Sequence, residues 1–405
     1  MIERWQDSFL REALQVRRGV HLTGVRQCGK TTLAEHVAAH TMRHVTLDES
    51  AYFTAATNDP KSFVERVDGR TMVIDEIQKV PALLEQIKIN VDHDNSPGQY
   101  LITGSSNLRF VKTARDSLAG RLGRIRLRTL TLGELTGGKG EFLSRAFSRD
   151  LPYECPDMGK REVIHRCFCG GYPEPLDFNV RSRRSWYAEY LDDLLTKDIR
   201  DITEIRKLDA LRKVANWLLA YSSKFFEYTH LCTAVGLSKE TVETYLSALK
   251  ALYVIDEVAP WSGSDYGKLG KRSKYFVSDP GLVANLLGWT EEEVYYGDDA
   301  CGKLVETWVY HELAALADLG TGYTITQYRD SDKREIDFLI ENAKGEVLGV
   351  EVKVGGVTAD DFKHLKWFAA RLARKPFTGI VLYAGSKTLS FGEGLFAVPL
   401  SALGV

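Results

Sequence analysis

The sequence has little cysteine, no long apolar run and almost no net charge. Six cysteines in 405 residues lie at irregular spacing, which argues against a disulfide scaffold and favours a reducing compartment. No run approaches the roughly 20 apolar residues that cross a bilayer, and the charged N-terminal stretch lacks the apolar centre of a secretion signal. We therefore expect a cytoplasmic protein with no membrane partner. A net charge of −2 excludes a polycation, so any contact with nucleic acid must come from local basic faces.

Composition and length describe a globular chain of several domains. Hydrophobic residues make up 44% and charged residues 27%, which excludes wholesale disorder, and the length corresponds to roughly two to four domains. Residues 1–150 alternate short β-rich runs with helical patterns, as a parallel, doubly wound sheet does. The expected strands are Val20–Thr23, His44–Leu47, Thr71–Ile74, Gln99–Thr103 and Arg124–Leu130, and the expected helices include Lys30–His40 and Pro81–His93.

The rest of the chain divides into three further segments. Residues 151–204 have a helical pattern and predict a lid or connector. Residues 205–296 are mostly helical, with a short β-hairpin near their end. Residues 297–405 begin with a helix and continue as strand, turn, strand, helix and strand, and the polar stretch 297–303 is the expected linker. The predicted fold class is therefore α/β, with a parallel core, a helical lid, a small helical domain and a C-terminal α/β domain.

A glycine-rich loop follows the first expected strand. Residues 24–31 read G-x-x-x-x-G-K-T and run into a helical pattern. Glycines let the backbone curl so that successive N–H groups face phosphate oxygens, and the helix start adds its positive dipole end. Lys30 would reach the β- and γ-phosphates, and Thr31 would ligate Mg²⁺. The predicted nucleotide-binding residues of the loop are Gly24, Val25, Arg26, Gln27, Cys28, Gly29, Lys30, Thr31 and Thr32.

Two acids end the third expected strand. Thr71–Ile74 is mostly apolar, and Asp75 and Glu76 follow directly. Ligands of open α/β sheets lie at the carboxyl ends of the strands, so both carboxylates are expected beside the phosphates. Asp75 is predicted to hold Mg²⁺, directly or through water, and Glu76 to polarise the attacking water as general base. An acidic turn after a buried strand would look the same, but the pairing with the glycine-rich loop favours a catalytic site.

Several motifs together carry a family resemblance. They are LTGVRQCGKTTL, VIDEIQKVPALL, LITGSSN, SLAGRLGRI and GGYPEPL. These motifs resemble the prokaryotic AAA+ ATPases that have a C-terminal domain of unknown function, and the resemblance runs over nearly the whole chain. It implies ATP and Mg²⁺ as cofactors, with Gly24, Gly29, Lys30, Thr31, Asp75 and Glu76 as the ATPase residues. It leaves open what the protein does with ATP.

The resemblance also implies two further roles. AAA+ proteins place a γ-phosphate sensor after the fourth strand, where Ser105 is the first candidate beside Ser106 and Asn107, although each could equally cap a helix. They also place an arginine before the next strand, which often enters the neighbouring subunit's site and neutralises charge there. We favour Arg121, with Arg124 second, and a plain surface arginine is the alternative. If an arginine acts in this way, the protein works as a homo-oligomer, for which a hexamer is one candidate.

The segment 205–296 has the pattern of a winged helix. Two helical stretches flank Gly236, and the second, Lys239–Leu249, carries an apolar stripe, as in a helix-turn-helix. Residues 205–280 carry 11 Lys/Arg and 8 Asp/Glu, and a basic wing predicts contact with the DNA backbone without sequence specificity. An oligomerisation or lid module is the alternative. The basic residues expected in the wing loop are Lys268, Lys271 and Arg272.

The C-terminal segment carries a second candidate site. Asp337 and Glu351 lie on two expected strands of one hairpin, and Lys353 shares a face with Glu351 because side chains alternate along a strand. This D…ExK pattern, with Glu306 on the preceding helix, resembles the restriction-endonuclease-like nuclease fold. The resemblance implies that Glu306, Asp337 and Glu351 hold a metal ion and that Lys353 activates water or steadies the transition state. A salt-bridged Glu351–Lys353 pair in a binding domain is the alternative.

The sequence therefore predicts a Mg²⁺-dependent ATPase that acts on DNA, with branched or damaged DNA in repair, recombination or defence as the favoured substrate. Metal-dependent DNA cleavage is left open. One alternative is an ATP-dependent signalling or assembly switch whose C-terminal domain binds a partner and has no catalytic role. Another is a nuclease that uses ATP only as a licence to cut. Arg4 and Trp5 are candidates for a wall of the adenine pocket, and GGYP is expected to form a rigid turn near the nucleotide.

Overall fold

The structure of the protein is a computed structural model. It describes residues 2–38, 42–65, 69–104, 120–201, 207–262, 272–320, 322–371, 373 and 375–405. Several predicted residues lie outside these ranges, namely Ser105, Ser106, Asn107, Lys268 and Lys271. Among the described residues, none of the helices combines the length and the apolar character that crossing a membrane requires.

The N-terminal part is built on a parallel sheet, as the alternating pattern predicts. Its strands are β1 (Gly19–Thr23), β2 (Arg43–Thr46), β3 (Met72–Asp75), β4 (Tyr100–Gly104) and β5 (Leu122–Arg126). They lie in the order β2-β3-β4-β1-β5, and all pairs are parallel. The helices around the sheet are α1 (Gln6–Val16), α2 (Lys30–Ala38), α3 (Ser50–Asn58), α4 (Pro60–Phe63) and α5 (Ala82–His93). The carboxyl ends of β1 and β3 therefore meet at one edge of the sheet.

The fifth strand ends earlier than the sequence predicts. Arg124–Leu130 is the expected strand, whereas β5 stops at Arg126 and the chain leaves the sheet. The Leu130 N–H then donates to the Gly171 carbonyl at 2.7 Å. The alternation of polar and apolar residues in R-I-R-L-R continues past the end of the strand to Arg128, so periodicity could not place this boundary.

A group of helices follows the sheet and carries the GGYP turn. The helices are α6 (Leu132–Thr136), α7 (Phe142–Ser148), α8 (Lys160–Cys169) and α9 (Val180–Thr196). Gly170 has φ +67°, and a Cβ at Gly171 would lie 2.2 Å from the Leu130 carbonyl oxygen. Only glycine fits such a close approach. The turn packs closely against the end of the first sheet, where the Leu130 N–H donates to the Gly171 carbonyl, and its rigidity stays a prediction.

The middle segment contains the expected pair of helices and a β-ribbon. Its elements are α10 (Leu208–Ala220), α11 (Tyr228–Val235), α12 (Lys239–Ala251), β6 (Ile255–Val258), β7 (Lys274–Val277), α13 (Pro280–Leu286) and α14 (Glu291–Tyr296). Gly236, at φ +69°, ends α11, and the Ser238 hydroxyl caps α12 by accepting from the Thr241 N–H at 3.3 Å. β6 and β7 pair antiparallel. Assignment as a DNA-binding winged helix stays a prediction.

The C-terminal segment has a separate, mixed sheet. It begins with α15 (Asp298–Leu319) and continues with β8 (Thr324–Arg329), β9 (Glu335–Glu341), β10 (Val347–Lys353), α16 (Lys363–Arg371), β11 (Phe377–Tyr383), β12 (Leu389–Gly392) and β13 (Leu395–Pro399). The strand order is β12-β13-β11-β10-β9-β8. β9 and β10 form the expected antiparallel pair. The expected linker 297–303 is wrong, because residues 298–303 form the first turns of α15, where Cys301 and Lys303 are buried.

One apolar core runs through all four segments. It includes Leu22 of β1, Phe168 of α8, Leu249 of α12 and Leu313 of α15. A buried arginine at the end of the first sheet reinforces this continuity. Arg128 donates to Asp256 on β6 and to Asp318 on α15, each at 2.7 Å. Arg128 therefore connects the sheet edge to both later segments.

A histidine inside the parallel sheet predicts sensitivity to acid. Burial lowers the pKa of His21 to about 3, and Arg124 and Lys30 add to this effect. The unfolded chain takes up this proton near pH 6.5, whereas the folded chain does not. The contribution of neutral His21 to the free energy of unfolding is therefore complete above pH 6.5 and is lost as the pH falls towards 3.

We predict that His21→Leu removes part of this acid sensitivity. Relative to the variant, wild type should lose roughly 2–3 kcal/mol of unfolding free energy between pH 7 and pH 4.5. Denaturant titrations at both pH values measure the difference. The control, His93→Leu, removes an exposed histidine and should keep the wild-type slope. Equal pH dependence of wild type and His21→Leu would contradict the assignment.

Candidate active site

The glycine-rich loop lies between β1 and α2 in the conformation that the motif predicts. Gly24 has φ +154° and Gly29 φ +99°, and a Cβ at Gly24 would lie 2.1 Å from the Leu127 carbonyl oxygen. Lys30 is buried, and its Nζ donates to the loop carbonyls of Gly24 at 3.1 Å and Val25 at 2.8 Å. The ammonium group is thus held inside the curl of the loop.

The two acids meet the loop at the sheet edge. The Thr31 hydroxyl donates to both oxygens of Asp75, at 3.2 and 3.0 Å. Asp75 is buried and also accepts a hydrogen bond from the Thr103 hydroxyl at the end of β4. Thr103 in turn accepts from the Glu76 N–H at 3.3 Å. Loop, acids and fourth strand thereby form one hydrogen-bonded unit.

Glu76 has an unusual backbone conformation. Its φ of +57° lies in the left-handed region, which is uncommon for residues other than glycine and recurs at functional sites. The Glu76 carboxylate accepts from the Gln78 side-chain amide. The turn lifts Glu76 out of the strand direction, so that it borders the cleft while Asp75 stays beneath the loop.

A cleft of about 940 Å³ opens over this unit. Six of the predicted loop residues border it, whereas Gly24, Val25 and Cys28 of the loop, and Asp75 after β3, do not. Those that border it are Arg26, Gln27, Gly29, Lys30, Thr31 and Thr32. Arg4 borders the cleft as expected, but Trp5 does not and instead donates to the Gly138 carbonyl at 2.7 Å. The cleft is large enough for a nucleotide, since small-molecule sites usually measure about 300–1,000 Å³.

Contacts from outside the motifs hold the loop, and sequence reasoning did not find most of them. Arg4 donates to the Cys28 carbonyl at 2.7 Å, and Arg26 pairs with Asp198 at 2.7 Å. The Tyr190 hydroxyl on α9 donates to the Arg26 carbonyl at 3.0 Å and accepts from Tyr172 of the GGYP turn at 3.0 Å. No spacing rule connects residues so far apart in sequence, so only the fold could reveal them.

The two candidate arginines lie away from the chain's own cleft. Arg121 precedes β5, and its guanidinium donates to Asp92 at 2.6 and 3.0 Å on the surface. Leu122 pairs with Gly19 at the amino end of β1, so Arg121 lies about 16 Å along the strands from Thr23, before the loop. Arg124 donates to the Tyr253 hydroxyl. Arg121 could therefore serve only another subunit's nucleotide, and that role stays a prediction.

The C-terminal acids gather around a lysine that the sequence did not single out. Lys274 of β7 lies with its Nζ 2.9 Å from Glu306, 2.7 Å from Glu335 and 3.9 Å from Asp337. The Asp337 carboxylate also accepts from the Val352 N–H at 2.9 Å. Within the described ranges, no group of three or more His, Cys, Asp or Glu side chains is arranged to hold a metal ion.

The remaining members of the D…ExK pattern lie at the margin of this group. Glu351 is buried, and its Oε1 atom has no hydrogen-bond partner among the described residues. Lys353 is half-exposed, and its Nζ lies 3.6 Å from Asp361. The predicted lysine therefore faces a different acid, while Lys274 occupies the centre of the group.

Burial and the neighbouring charges act in opposite directions on the pKa values of this group. Burial raises the pKa of Glu306 to about 7, against the attraction of Lys274. Burial also raises the pKa of Asp337 and of Glu351. For Lys274, burial acts to lower the pKa, but Glu306, Asp337 and Glu335 outweigh it and raise the pKa above its ordinary value. Lys274 is therefore charged, and the acids around it lie close enough to raise one another's pKa values.

Comparison with known families supports the nucleotide site. Residues 16–136 match the family model described as an AAA domain. The match supports an AAA-type ATPase domain in this part of the chain. Residues 160–293 match the Domain of unknown function (DUF8612), and residues 301–403 match the Domain of unknown function (DUF4143). Neither of the latter descriptions assigns a reaction.

Similar proteins add little beyond this. Uncharacterized proteins of Mycobacterium tuberculosis and Mycobacterium bovis are each 27% identical over 348 residues, covering 85% of this chain and 72% of theirs. The Thermotoga maritima RuvB Holliday junction branch migration motor is 19% identical, with a TM-score of 0.29 over 64% of this chain and 90% of that one. Caenorhabditis elegans PCH-2 is 13% identical, with a TM-score of 0.22 over 59% and 65%. At such TM-scores the likeness carries no argument.

We predict that Glu76→Gln slows ATP turnover about 10²–10⁴-fold, because it removes the carboxylate that would accept a proton from water. ATP binding should remain, since Lys30, Thr31 and Asp75 are unchanged. Phosphate release and ATP titration measure the two effects. Glu35→Gln is the matched control, because Glu35 is exposed on α2 and does not border the cleft. Turnover of Glu76→Gln close to that of the control would remove Glu76 from the mechanism.

Proposed function

We propose that the chain is a Mg²⁺-dependent ATP hydrolase whose nucleotide state acts as an assembly switch. The observation that carries the proposal is the hydrogen-bonded unit of Thr31, Asp75 and Thr103 beneath the cleft, with Lys30 and Glu76 on either side. A hydroxyl and a carboxylate in contact are oxygen donors of the kind that Mg²⁺ takes. Bound there with ATP, the ion would neutralise charge on the phosphates.

The chain's own residues divide the chemistry. The loop N–H groups and the start of α2 bind phosphate oxygens. Lys30, now bonded to loop carbonyls, supplies a buried positive charge for the β- and γ-phosphates. Glu76 orients a water molecule and accepts its proton. Thr103 is a positioning residue, because it bonds both the Asp75 carboxylate and the Glu76 N–H and so fixes the distance between the two acids.

Contacts between the loop and the helices support coupling of the nucleotide to the rest of the protein. Arg26 is held by Asp198 through its side chain and by Tyr190 through its carbonyl. On the other side, the Thr23 hydroxyl, directly before the loop, bonds the Tyr253 hydroxyl after α12. A nucleotide that reshapes the loop must strain or release these bonds, and the helices and the middle segment would then move.

Charge pairing in the middle segment favours the switch over action on DNA. Six of the eight basic residues that the structure describes in this segment form ion pairs, which lowers the positive charge that these eight can offer to phosphates. The exposed face of α12 carries Lys239, Glu240, Glu243 and Thr244, and its glutamates would repel a DNA backbone. The paired basic residues are Arg212, Lys224, Lys239, Lys250, Arg272 and Lys274.

Action on branched or damaged DNA is the second candidate function. It is supported by the helix-turn-helix of α11 and α12 beside the β6–β7 ribbon, and by the excess of three positive charges over residues 205–280. The two candidates differ in whether DNA is linked to the ATPase cycle.

We predict that DNA leaves ATP turnover within about twofold of its basal rate, because the proposed switch does not link DNA to the ATPase cycle. Allosteric coupling is usually about 5–150-fold, so a link between DNA and ATP turnover would exceed this limit. Single-stranded, duplex and four-way junction DNA should be compared at low salt, where charge contacts are strongest. Heparin serves as a control for unspecific polyanion effects. Strong stimulation by one DNA structure, absent with heparin, would contradict the switch and favour the second candidate.

Assembly is proposed through Arg121, which would complete the site of a neighbouring subunit. We predict that Arg121→Ala and Lys30→Ala each lose most ATP turnover and that a mixture regains about a quarter of the wild-type rate. In random assemblies half of the subunits keep an intact loop, and half of their neighbours supply the arginine. Steady-state turnover of the mixture measures this rescue.

Arg18→Ala is the matched control for that mixture, because Arg18 also lies beside Asp92, at 3.9 Å. It should keep near wild-type turnover alone. If Arg121→Ala mixed with Lys30→Ala turns over ATP no faster than the two variants do separately, Arg121 does not act between subunits.

A further inference from the structure

The acidic group of the C-terminal sheet is built around Lys274, which comes from a different segment of the chain. Lys274 lies on β7 and is 1% exposed. The acids that face it come from α15 and β9, so the contact joins the middle segment to the C-terminal one. Buried lysines are rare unless they are paired, and this one has two carboxylates within hydrogen-bond distance.

Lys274 faces Glu306 and Asp337, two of the three carboxylates that the D…ExK resemblance assigns to a metal ion. An ammonium group has three N–H donors and no acceptor, and two of them are used by Glu306 and Glu335. Asp337 lies next to the charge at 3.9 Å. A divalent ion needs oxygens at about 2.0–2.6 Å, and the space between these carboxylates is taken by Nζ.

Backbone contacts fix the lysine in this place. The ribbon is joined to the edge of the C-terminal sheet, since the Trp261 N–H donates to the Gln327 carbonyl at 2.7 Å and the Gln327 N–H donates to the Ala259 carbonyl at 3.1 Å. Phe276, two residues after Lys274, stacks on Tyr310 of α15 at 4.3 Å and packs on Phe338 of β9 at 5.5 Å. Withdrawal of Lys274 would require β7 to leave a buried position.

We propose that Lys274 is the permanent cation of this acidic group and that its ion pairs lock the middle segment to the C-terminal sheet, in place of a divalent metal ion. Glu306 and Asp337 then bind the ammonium group of Lys274 and not a metal ion. The C-terminal segment would bind no catalytic metal while the ribbon is in place. This inference does not depend on ATP hydrolysis, and its test uses no nucleotide.

The test is a Mn²⁺ titration of the nucleotide-free full-length protein, followed by the electron paramagnetic resonance signal of free Mn²⁺. Lys274→Met keeps the length of the side chain and removes its charge. Adding Asp337→Asn to wild type should not change the amount of Mn²⁺ bound. Lys274→Met should bind one more Mn²⁺ than wild type, and adding Asp337→Asn to Lys274→Met should abolish this extra binding. Asp337-dependent Mn²⁺ binding by wild type would overturn the proposal, and so would no gain in a folded Lys274→Met.

Thermal unfolding tests the lock separately. Without metal, Lys274→Met should unfold about 5 °C or more below wild type, because it leaves buried acids uncompensated, and Mn²⁺ should restore part of the loss. An unchanged midpoint would overturn the lock. If Lys274→Met does not fold, the triple variant with Glu306→Gln and Glu335→Gln removes the excess charge and should fold. Failure of the triple variant as well would show that the lysine's charge is not what its neighbours require.

Discussion

The arrangement of the loop, the acids and the fourth strand depends on one buried carboxylate. Asp75 accepts hydrogen bonds from Thr31, which follows the glycine-rich loop, and from Thr103, which ends the neighbouring strand. Burying a carboxylate without hydrogen-bond partners costs free energy, so the buried position of Asp75 requires both hydroxyl groups. This bond set fixes the loop against the sheet edge and brings Glu76 to the cleft. The proposed ATPase chemistry depends on that placement.

From this point the structure connects outwards through a few polar contacts. The loop is held by Tyr190 and Asp198 on one side and, through Thr23, by Tyr253 on the other. Arg128 extends the connection to β6 and α15. Lys274 closes it at the C-terminal sheet. Each contact joins two segments, which suits a protein whose nucleotide state is transmitted through the chain.

Local patterns in the sequence predicted that the glycine-rich loop and the acids meet at one sheet edge, but they did not predict the contacts between segments. The loop and the acids after β3 depend on residues within one strand–turn–helix unit, so spacing alone located them. The end of β5 and the false linker at 297–303 depended on what the chain packs against, which periodicity does not record. Lys274 gave no signal, because a lone lysine in a β-rich run looks like a strand-edge charge. The D…ExK pattern placed Asp337 and Glu351 correctly on paired strands, but it could not reveal which cation they face.

ATP titration with and without Mg²⁺, in wild type and in Asp75→Asn, tests the central claim most directly. The substitution keeps the size of the side chain and one hydrogen-bond acceptor while it removes the charge. We expect wild type to bind ATP and Mg²⁺ to tighten this binding, whereas Asp75→Asn should lose the effect of Mg²⁺. Absence of ATP binding by wild type, or an equal Mg²⁺ effect in both proteins, would contradict this expectation.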